Sequence, residues 1–349
     1  MQKSAKNHCF FRKYGYISLG NSGRNKKMMT KKQTTLQHIA EKSGFSISTV
    51  SRALAGSQRI SSATRKKIIQ LADACNYQHK CRNVAVITFG FGVYFSNMLQ
   101  ALQSELYNQG FRSFIITPGM LELLEEIPLQ GAISLLSENG LEKEWPQKFS
   151  CPLICINTHY NWLDKLYSVT TNDAAAVEQA VRSLYNAGHR KIARVTVDFR
   201  ENNQNAQRRD QRLTELAKKM NFDLVLDSNW GDNPFDTVLM LQRIIDKGVT
   251  GIICTSERIT PLLAQAVQIL RLRVPEDISI ACWTTGEHDL SFADWEVYRQ
   301  DYSGIAAKAV NILNDICNGN PPGKSEFSVD YIYRPGHSIA PPASESKDQ

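Results

Sequence analysis

TTLQHIAEKSGFSISTVSRALAGSQRISSATRKKIIQLADACNY, residues 34–77, sets apolar side chains at helical spacing three times over. Leu36, Ile39 and Ala40 share one face, Gly44 interrupts it, and Ile47, Val50, Ala53 and Leu54 resume the spacing. Ile68, Leu71, Ala72 and Cys75 form a third stripe. Before each stripe stands a residue whose hydroxyl can accept from an orphan backbone N–H: Thr35, Ser46, and Ser61 or Ser62. Gly44 suits a turn at positive φ, since it has no Cβ to clash. The segment reads as three short amphipathic helices with a tight turn between the first two. The second presents Ile47, Ser48, Ser51 and Arg52 outward.

Charge follows the same division. Residues 1–80 hold 16 Lys and Arg against two acidic residues, Glu41 and Asp73, a net +14. The other 269 residues hold 25 Lys and Arg against 32 Asp and Glu, a net −7, which together recover the +7 of the whole chain. A basic module on an acidic body favours phosphate contact at one end and keeps the body off the duplex. Caps, turn glycine, apolar faces and charge agree on a helix-turn-helix that reads double-stranded DNA, with the N-terminal half of the second helix meeting base edges.

The segment resembles the N-terminal domain of the lactose-repressor (LacI/GalR) family of bacterial transcription regulators. The resemblance rests on Ser48-Thr49-Val50-Ser51-Arg52 followed by Leu54, Gly56 and Thr64-Arg65, on AGHRKIA at Ala187–Ala193, and on RVPEDISI at Arg273–Ile280. It covers roughly residues 34–340. It implies DNA contacts from Thr35, Ser46, Ile47, Ser48, Thr49, Ser51, Arg52 and Arg65, with phosphate help from Lys66 and Lys67.

A chain of 349 residues has room for two or three domains and a substantial core. No run of 18 apolar residues exists, so nothing in the sequence reads as a membrane span. Eight cysteines without close CxxC pairs read as reduced thiols of a cytoplasmic protein. Residues 1–29 are basic, contain Gly15, Gly20 and Gly23, and lack a sustained period; they read as a disordered extension or a start assigned too early. A secretory signal is not expected, because no apolar stretch between Phe10 and Leu19 is long enough.

After Asn83, short apolar runs alternate with amphipathic helices. Val84–Phe89, Ser113–Thr117, Gly131–Leu136, Leu153–Asn157, Ile192–Val197, Leu224–Leu226, Gly251–Thr255 and Ile278–Trp283 read as strands. Tyr94–Asn108, Asp173–Ala187, Arg208–Met220, Phe235–Lys247 and Pro261–Leu270 read as helices. The alternation predicts an α/β bilobed core of two parallel doubly wound sheets, with ligand at the carboxyl ends of the strands. The resemblance implies the same: a periplasmic-binding-protein-like core that closes on an effector. The expected organisation is an all-α helix-turn-helix domain over 30–80, a linker at 81–83 and a core over 84–342. Lobe 1 spans about 84–169 and 302–328, lobe 2 about 170–301 and 329–342, and residues 343–349 form a polar tail.

Enzyme chemistry lacks its parts. There is no G-x-G-x-x-G after the first strand, and Gly323-Lys324-Ser325 has Asn318 where a phosphate loop needs glycine. H-E-x-x-H and G-x-S-x-G are absent, and His189 reads as a helix-end or packing residue. No cofactor, metal site or catalytic residue is expected.

The resemblance places effector contacts at Tyr94 and Phe95, where aromatic faces stack on a sugar ring, and at Asn157, Arg209, Trp230, Glu257, Thr284 and Gln300. Here the chain departs from the family. Asn157 stands where an aspartate is common, Ser256-Glu257 replaces an Asn-Asp pair, and Thr284-Thr285 replaces two aspartates. The expected effector class is a sugar or a sugar phosphate. With carboxylates lost and Arg209 retained the cleft is less negative, which favours an anionic ligand such as a sugar phosphate or acid paired with Arg209. The alternative is a cleft that binds nothing tightly. The family's linker of about twenty residues, with a leucine that pries open the minor groove, is also missing. Only Gln78-His79-Lys80-Cys81-Arg82-Asn83 separate Tyr77 from Val84, a reach of at most about 20 Å. Weak or absent kinking of a palindromic operator follows. A homodimer is implied, because one helix-turn-helix buries too little surface for operator affinity. The C-terminus carries no leucine heptads for a tetramer. The expected function is a repressor of carbohydrate-utilisation genes. A ligand-sensing module with a weakened DNA domain, acting through a protein partner, is the alternative.

Overall fold

The structure is a computed structural model that describes residues 35–54, 59–75, 77, 82–136, 141–158, 166–196, 204–227, 233–285 and 294–343. Three helices form the head: α1 (Leu36–Ser43), α2 (Ile47–Leu54) and α3 (Ser62–Ala74). Local chemistry sets their ends. Thr35 Oγ1 accepts from His38 N at 3.3 Å, Ser46 Oγ from Thr49 N at 3.1 Å, and Ser61 Oγ from Thr64 N at 3.2 Å. Gly44 closes α1 at φ 72°, in the left-handed region where a Cβ would be strained. Ile39, Ala40, Val50, Ala53, Leu54, Ile68 and Ala72 meet in one small core, and among the described residues every apolar side chain packed against it belongs to the head.

The body holds two six-stranded sheets. The first contains β1 (Asn83–Ile87), β2 (Arg112–Ile116), β3 (Gly131–Ser134), β4 (Leu153–Ile156), β5 (Leu166–Thr171) and β11 (Glu326–Val329), in the order β11-β5-β4-β3-β1-β2. All of its pairings are parallel. The second contains β6 (Lys191–Val195), β7 (Asp223–Asp227), β8 (Gly251–Cys254), β9 (Ser279–Thr284), β10 (Glu296–Arg299) and β12 (Ile332–Arg334), in the order β12-β10-β9-β8-β6-β7. One edge departs from the expected all-parallel pattern. The chain leaves β11 through a two-residue passage and so runs back along β10, which makes β12 antiparallel to it.

Helices cover both faces of each sheet, so the inner strands are buried on both sides and mostly apolar rather than alternating. Ser168, Thr170 and Thr171 in β5, Arg194 in β6 and Glu296 in β10 are buried polar exceptions. In the first lobe, α4 (Val93–Asn108) and α10 (Tyr302–Cys317) pack on one face, and the 3-10 segment Pro118–Glu126 and α5 (Leu141–Lys148) on the other. In the second, α6 (Asp173–Asn186) and α7 (Gln204–Met220) oppose α8 (Pro234–Asp246) and α9 (Ile259–Ile269). The chain passes between the sheets three times, from β5 to α6, from β10 to α10 and from β11 to β12.

Asn83, assigned from sequence to a linker, is the first residue of β1. Residues 1–34, 78–81 and 344–349 lie outside the described residues, and with them the N-terminal extension, the first residue of the linker and nearly all of the polar tail.

Candidate DNA-reading face and interlobe cleft

The second head helix turns its apolar residues Val50, Ala53 and Leu54 inward, which leaves Ser48, Ser51 and Arg52 on the solvent side. Ile47 is 48% exposed although it continues the apolar spacing. An exposed isoleucine at the first turn of such a helix is suited to contact a thymine methyl. Ser46 does more than cap. Its hydroxyl also lies 2.9 Å from Ser48 Oγ and 2.8 Å from Thr49 Oγ1, so three hydroxyls form one cluster at the helix start. Thr35 is exposed at the start of α1. Arg65 is half-buried and turns its Nη2 towards Ile60 O at 3.4 Å, so it is held at the start of α3 rather than extended. Lys66 and Lys67 beside it are exposed.

In the body, residues from four elements converge between the lobes. Asn157, one residue beyond β4, donates through Nδ2 to Tyr94 Oη on α4 and to Gln300 Oε1 beyond β10, both at 2.9 Å. Gln300 Nε2 then donates to Glu257 Oε1, just after β8, at 3.0 Å. Asn157 sits at φ 61°, a left-handed conformation that asparagine tolerates better than most residues, and its Oδ1 accepts from Thr171 N at 3.3 Å. An aspartate there could accept but could not donate to either partner. In this arrangement the amide supplies the donor that Tyr94 Oη and Gln300 Oε1 both accept, where a carboxylate would need the tyrosine hydroxyl and the glutamine amide to turn and donate instead. Asn97 Nδ2 of the first lobe reaches Thr285 O of the second at 3.3 Å.

Burial pushes the Tyr94 phenol up, and the charge of Glu257 adds to that against the Asn157 hydrogen bond. Glu257 itself is raised, first by burial and then by the charge of Asp173, while Arg209 and the Gln300 hydrogen bond oppose the shift. Phe95 packs edge-to-face on Tyr94, with centroids 5.1 Å apart. Thr284 is buried at the end of β9, and Trp230 lies outside the described residues.

Arg209 occupies a second knot. It is 6% exposed on α7, and each of its nitrogens has a protein partner. Nε donates to Asp173 Oδ1 at 2.8 Å, Nη1 to Thr255 O at 2.6 Å and Nη2 to Tyr331 Oη at 2.5 Å. Tyr331 donates in turn to Asp173 Oδ1 at 2.8 Å. Burial works against the guanidinium charge, and Tyr331, Asp173 and Glu257 outweigh it, so Arg209 is held above its ordinary range. The arginine arrives already paired rather than as a bare cation awaiting an anion.

Asp173 and Tyr331 were not among the sequence-derived site residues. Asp173 is visible in sequence as the first residue of a helix, and Tyr331 follows a short strand that carries no period. Nothing local in either announces Arg209, which lies 36 residues beyond Asp173. His189 is buried, with Nδ1 2.8 Å from Thr250 Oγ1 and Nε2 2.9 Å from Ala340 O. That fastens the C-terminal segment to the second lobe and leaves no free base. No group of three His, Cys, Asp or Glu among the described residues is placed to hold a metal. No described helix is long and apolar enough to cross a membrane.

Comparison with known proteins bears on both regions. Residues 35–79 match the bacterial regulatory proteins of the lacI family, and residues 181–338 match the periplasmic binding protein-like domain. The ribose operon repressor of Haemophilus influenzae is 24% identical over 273 residues, covering 70% of this chain and 80% of that protein. The HTH-type transcriptional repressor PurR of Vibrio vulnificus is 23% identical over 276 residues, with the same coverage of 70% and 80%. These relatives are transcriptional regulators, not enzymes. A lac repressor dimer bound to operator and the anti-inducer ONPF shares the fold, with a TM-score of 0.64 at 16% identity over 88% of this chain and 100% of that one.

Proposed function

We propose that this chain, which belongs to the lacI family of bacterial regulatory proteins, is a dimeric, cytoplasmic repressor that reads a palindromic operator and answers a neutral polyhydroxyl effector in its cleft. In that reading, the head over residues 30–80 binds DNA and the core over 84–342 binds the effector and pairs with a second copy. The observation that carries it is α2: a capped helix following a glycine turn, within the stretch that matches the lacI family, with Ile47, Ser48, Ser51 and Arg52 turned to solvent. Selection from random-sequence DNA by the full chain is expected to enrich one palindrome. No enrichment over bulk DNA would remove the reading.

The effector class follows from Arg209. Its charge is ion-paired with Asp173 and its forks are hydrogen-bonded, so a phosphate would have to displace existing partners. The Tyr94–Asn157–Gln300–Glu257 chain alternates donors and acceptors and suits exchange with hydroxyls, beside the rings of Tyr94 and Phe95. Calorimetric titration should give heat with a neutral sugar and none with its phosphate. Binding only of phosphorylated sugars would reverse the assignment.

Dimerisation is supported by apolar residues left exposed at an edge strand of each sheet and on α8. Phe114 and Ile115 lie on β2, Leu226 on β7, and Phe235 and Leu239 on α8. β2 and β7 are the corresponding edge strands of the two sheets. A second copy covering these residues would hold two heads at a fixed separation.

A further inference from the structure

We propose that Arg82 is a positioning residue that anchors the DNA-reading head to the core and thereby fixes the half-site spacing the dimer accepts. The inference rests on the dimeric DNA-reading function proposed above. Arg82 is the last residue before β1, and its guanidinium joins three elements of the first lobe. Nη1 donates to Gln109 O, just past α4, at 2.5 Å, and Nη2 reaches Asn314 Oδ1 in the last turns of α10 at 3.4 Å. The same group lies 4.7 Å from the centroid of the Phe111 ring. Its own carbonyl accepts from Arg112 N at the start of β2, at 2.7 Å. A cation at the C-terminal ends of two helices is favoured by their dipoles as well as by these contacts. The two helix ends are themselves joined, since Gln109 Nε2 donates to Asn311 Oδ1 at 2.7 Å.

The other ends of these helices lie at the cleft. The first turn of α4 carries Tyr94, and α10 begins two residues after Gln300, capped by Asp301 Oδ1 accepting from Gly304 N at 2.8 Å. Arg82 therefore gathers the far ends of both helices whose near ends hold the cleft's hydrogen-bond chain. On the head side, Tyr77 is fastened to α3 by its N–H to Ala72 O at 2.9 Å and packs against the head's core. Four residues, 78–81, separate the two fixed points, and five peptide steps reach at most about 18 Å. A head held that closely has little slack to follow a displaced half-site. Two inserted base pairs move a half-site by about 7 Å and turn it by about 70°.

The test uses the full chain and the palindrome that the wild-type chain selects from random-sequence DNA, rebuilt with one or two base pairs added or removed at its centre. Fluorescence anisotropy is expected to give a loss of about a hundredfold for wild type when two are added, because one head is then unseated. Eight Gly/Ser residues inserted between Gln78 and His79 leave Arg82 intact and should level the series to within about threefold, since a longer flexible tether falls off only slowly in effective concentration. Arg82→Ala should flatten the series in the same direction. Arg82→Lys, which keeps the charge without the fork, should lie between Arg82→Ala and wild type. Each variant's unfolding midpoint separates a lost anchor from a lost fold, and the insertion variant carries the test if Arg82→Ala does not fold. A wild type indifferent to spacing, an insertion variant as discriminating as wild type, or an Arg82→Ala variant that folds and discriminates as sharply as wild type overturns the proposal. A selection that enriches no site removes the DNA-reading function, and this inference with it.

Discussion

On α2 of the head, Ser48, Ser51 and Arg52 face solvent, while in the cleft Tyr94, Asn157, Gln300 and Glu257 bond to one another and Arg209 is enclosed by Asp173, Thr255 and Tyr331. The head presents polar groups to a partner that is large, charged and always polar. The cleft satisfies most of its own polar groups, because any left bare in a part-buried site carries a desolvation cost. Asp173 Oδ2, without a hydrogen-bond partner among the described residues, has the Arg208 guanidinium 3.5 Å away. Recognition by the head is therefore addition of contacts, and recognition in the cleft is exchange of one set for another. Truncations should separate the two: in the head they should cost affinity and spare the fold, and in the cleft they should cost the fold.

The largest effect expected from a single substitution is Asp173→Ala, which strips the partner from a buried guanidinium. Breaking such a pair from one side costs about 3–5 kcal/mol, to be read by urea unfolding of the full chain. A loss within error would mean that Arg209 is free to serve a ligand, and the contrast between head and cleft would fail. Next comes Arg52→Ala. On a head helix facing solvent it should leave the unfolding midpoint unchanged and weaken the selected operator by about 1–3 kcal/mol. Equal weakening on operator and random DNA would make Arg52 a phosphate contact instead of a base reader.

The smallest effect is a pH dependence. The Glu257 carboxyl is raised in the folded state, chiefly by burial. A group whose folded pKa lies above its unfolded value contributes stability below the unfolded pKa and loses it as pH rises through the folded one. Glu257→Gln keeps an oxygen for Gln300 and removes the titration. Wild type and variant should therefore be closest in acid, and the variant should gain relative to wild type towards neutral pH and above. A gap that widens in acid would reverse the sign of the assigned shift.

The same contrast explains what was legible in the sequence. The head declared itself because its determinants are local: a hydroxyl three residues before the N–H it caps, a glycine in a left-handed turn, and a stripe repeating every three or four residues. Of the inner strands, β1, β3, β4, β6, β8 and β9 were legible as largely apolar runs. β5 and β10 were not, because Ser168, Thr170 and Thr171 interrupt one and Glu296 and Arg299 bound the other. Nor were β11 and β12, being short, partly exposed and without a clean period of two. The antiparallel edge they create depends on where the third passage between lobes falls. In the cleft, sequence and resemblance singled out Asn157, Glu257, Arg209 and Gln300, but not who pairs with whom. Arg209 read as a retained cation for an anionic ligand, while its partners Asp173 and Tyr331 lie 36 and 122 residues away. Asn157 read as a lost charge, and its place as the donor to Tyr94 and Gln300 became visible only in the structure.

The claim on which the rest depends is that the head reads DNA through phosphate and base contacts together. Binding of the full chain to its selected palindrome and to a scrambled duplex, titrated over salt, tests it most directly. The account predicts that log Kd rises linearly with log salt on both duplexes, with a slope near 0.9 for each phosphate contact, about one unit less steep after Lys66→Ala, and that the palindrome stays about a thousandfold tighter than the scrambled duplex throughout. Equal affinity for the two duplexes at every salt concentration would contradict it.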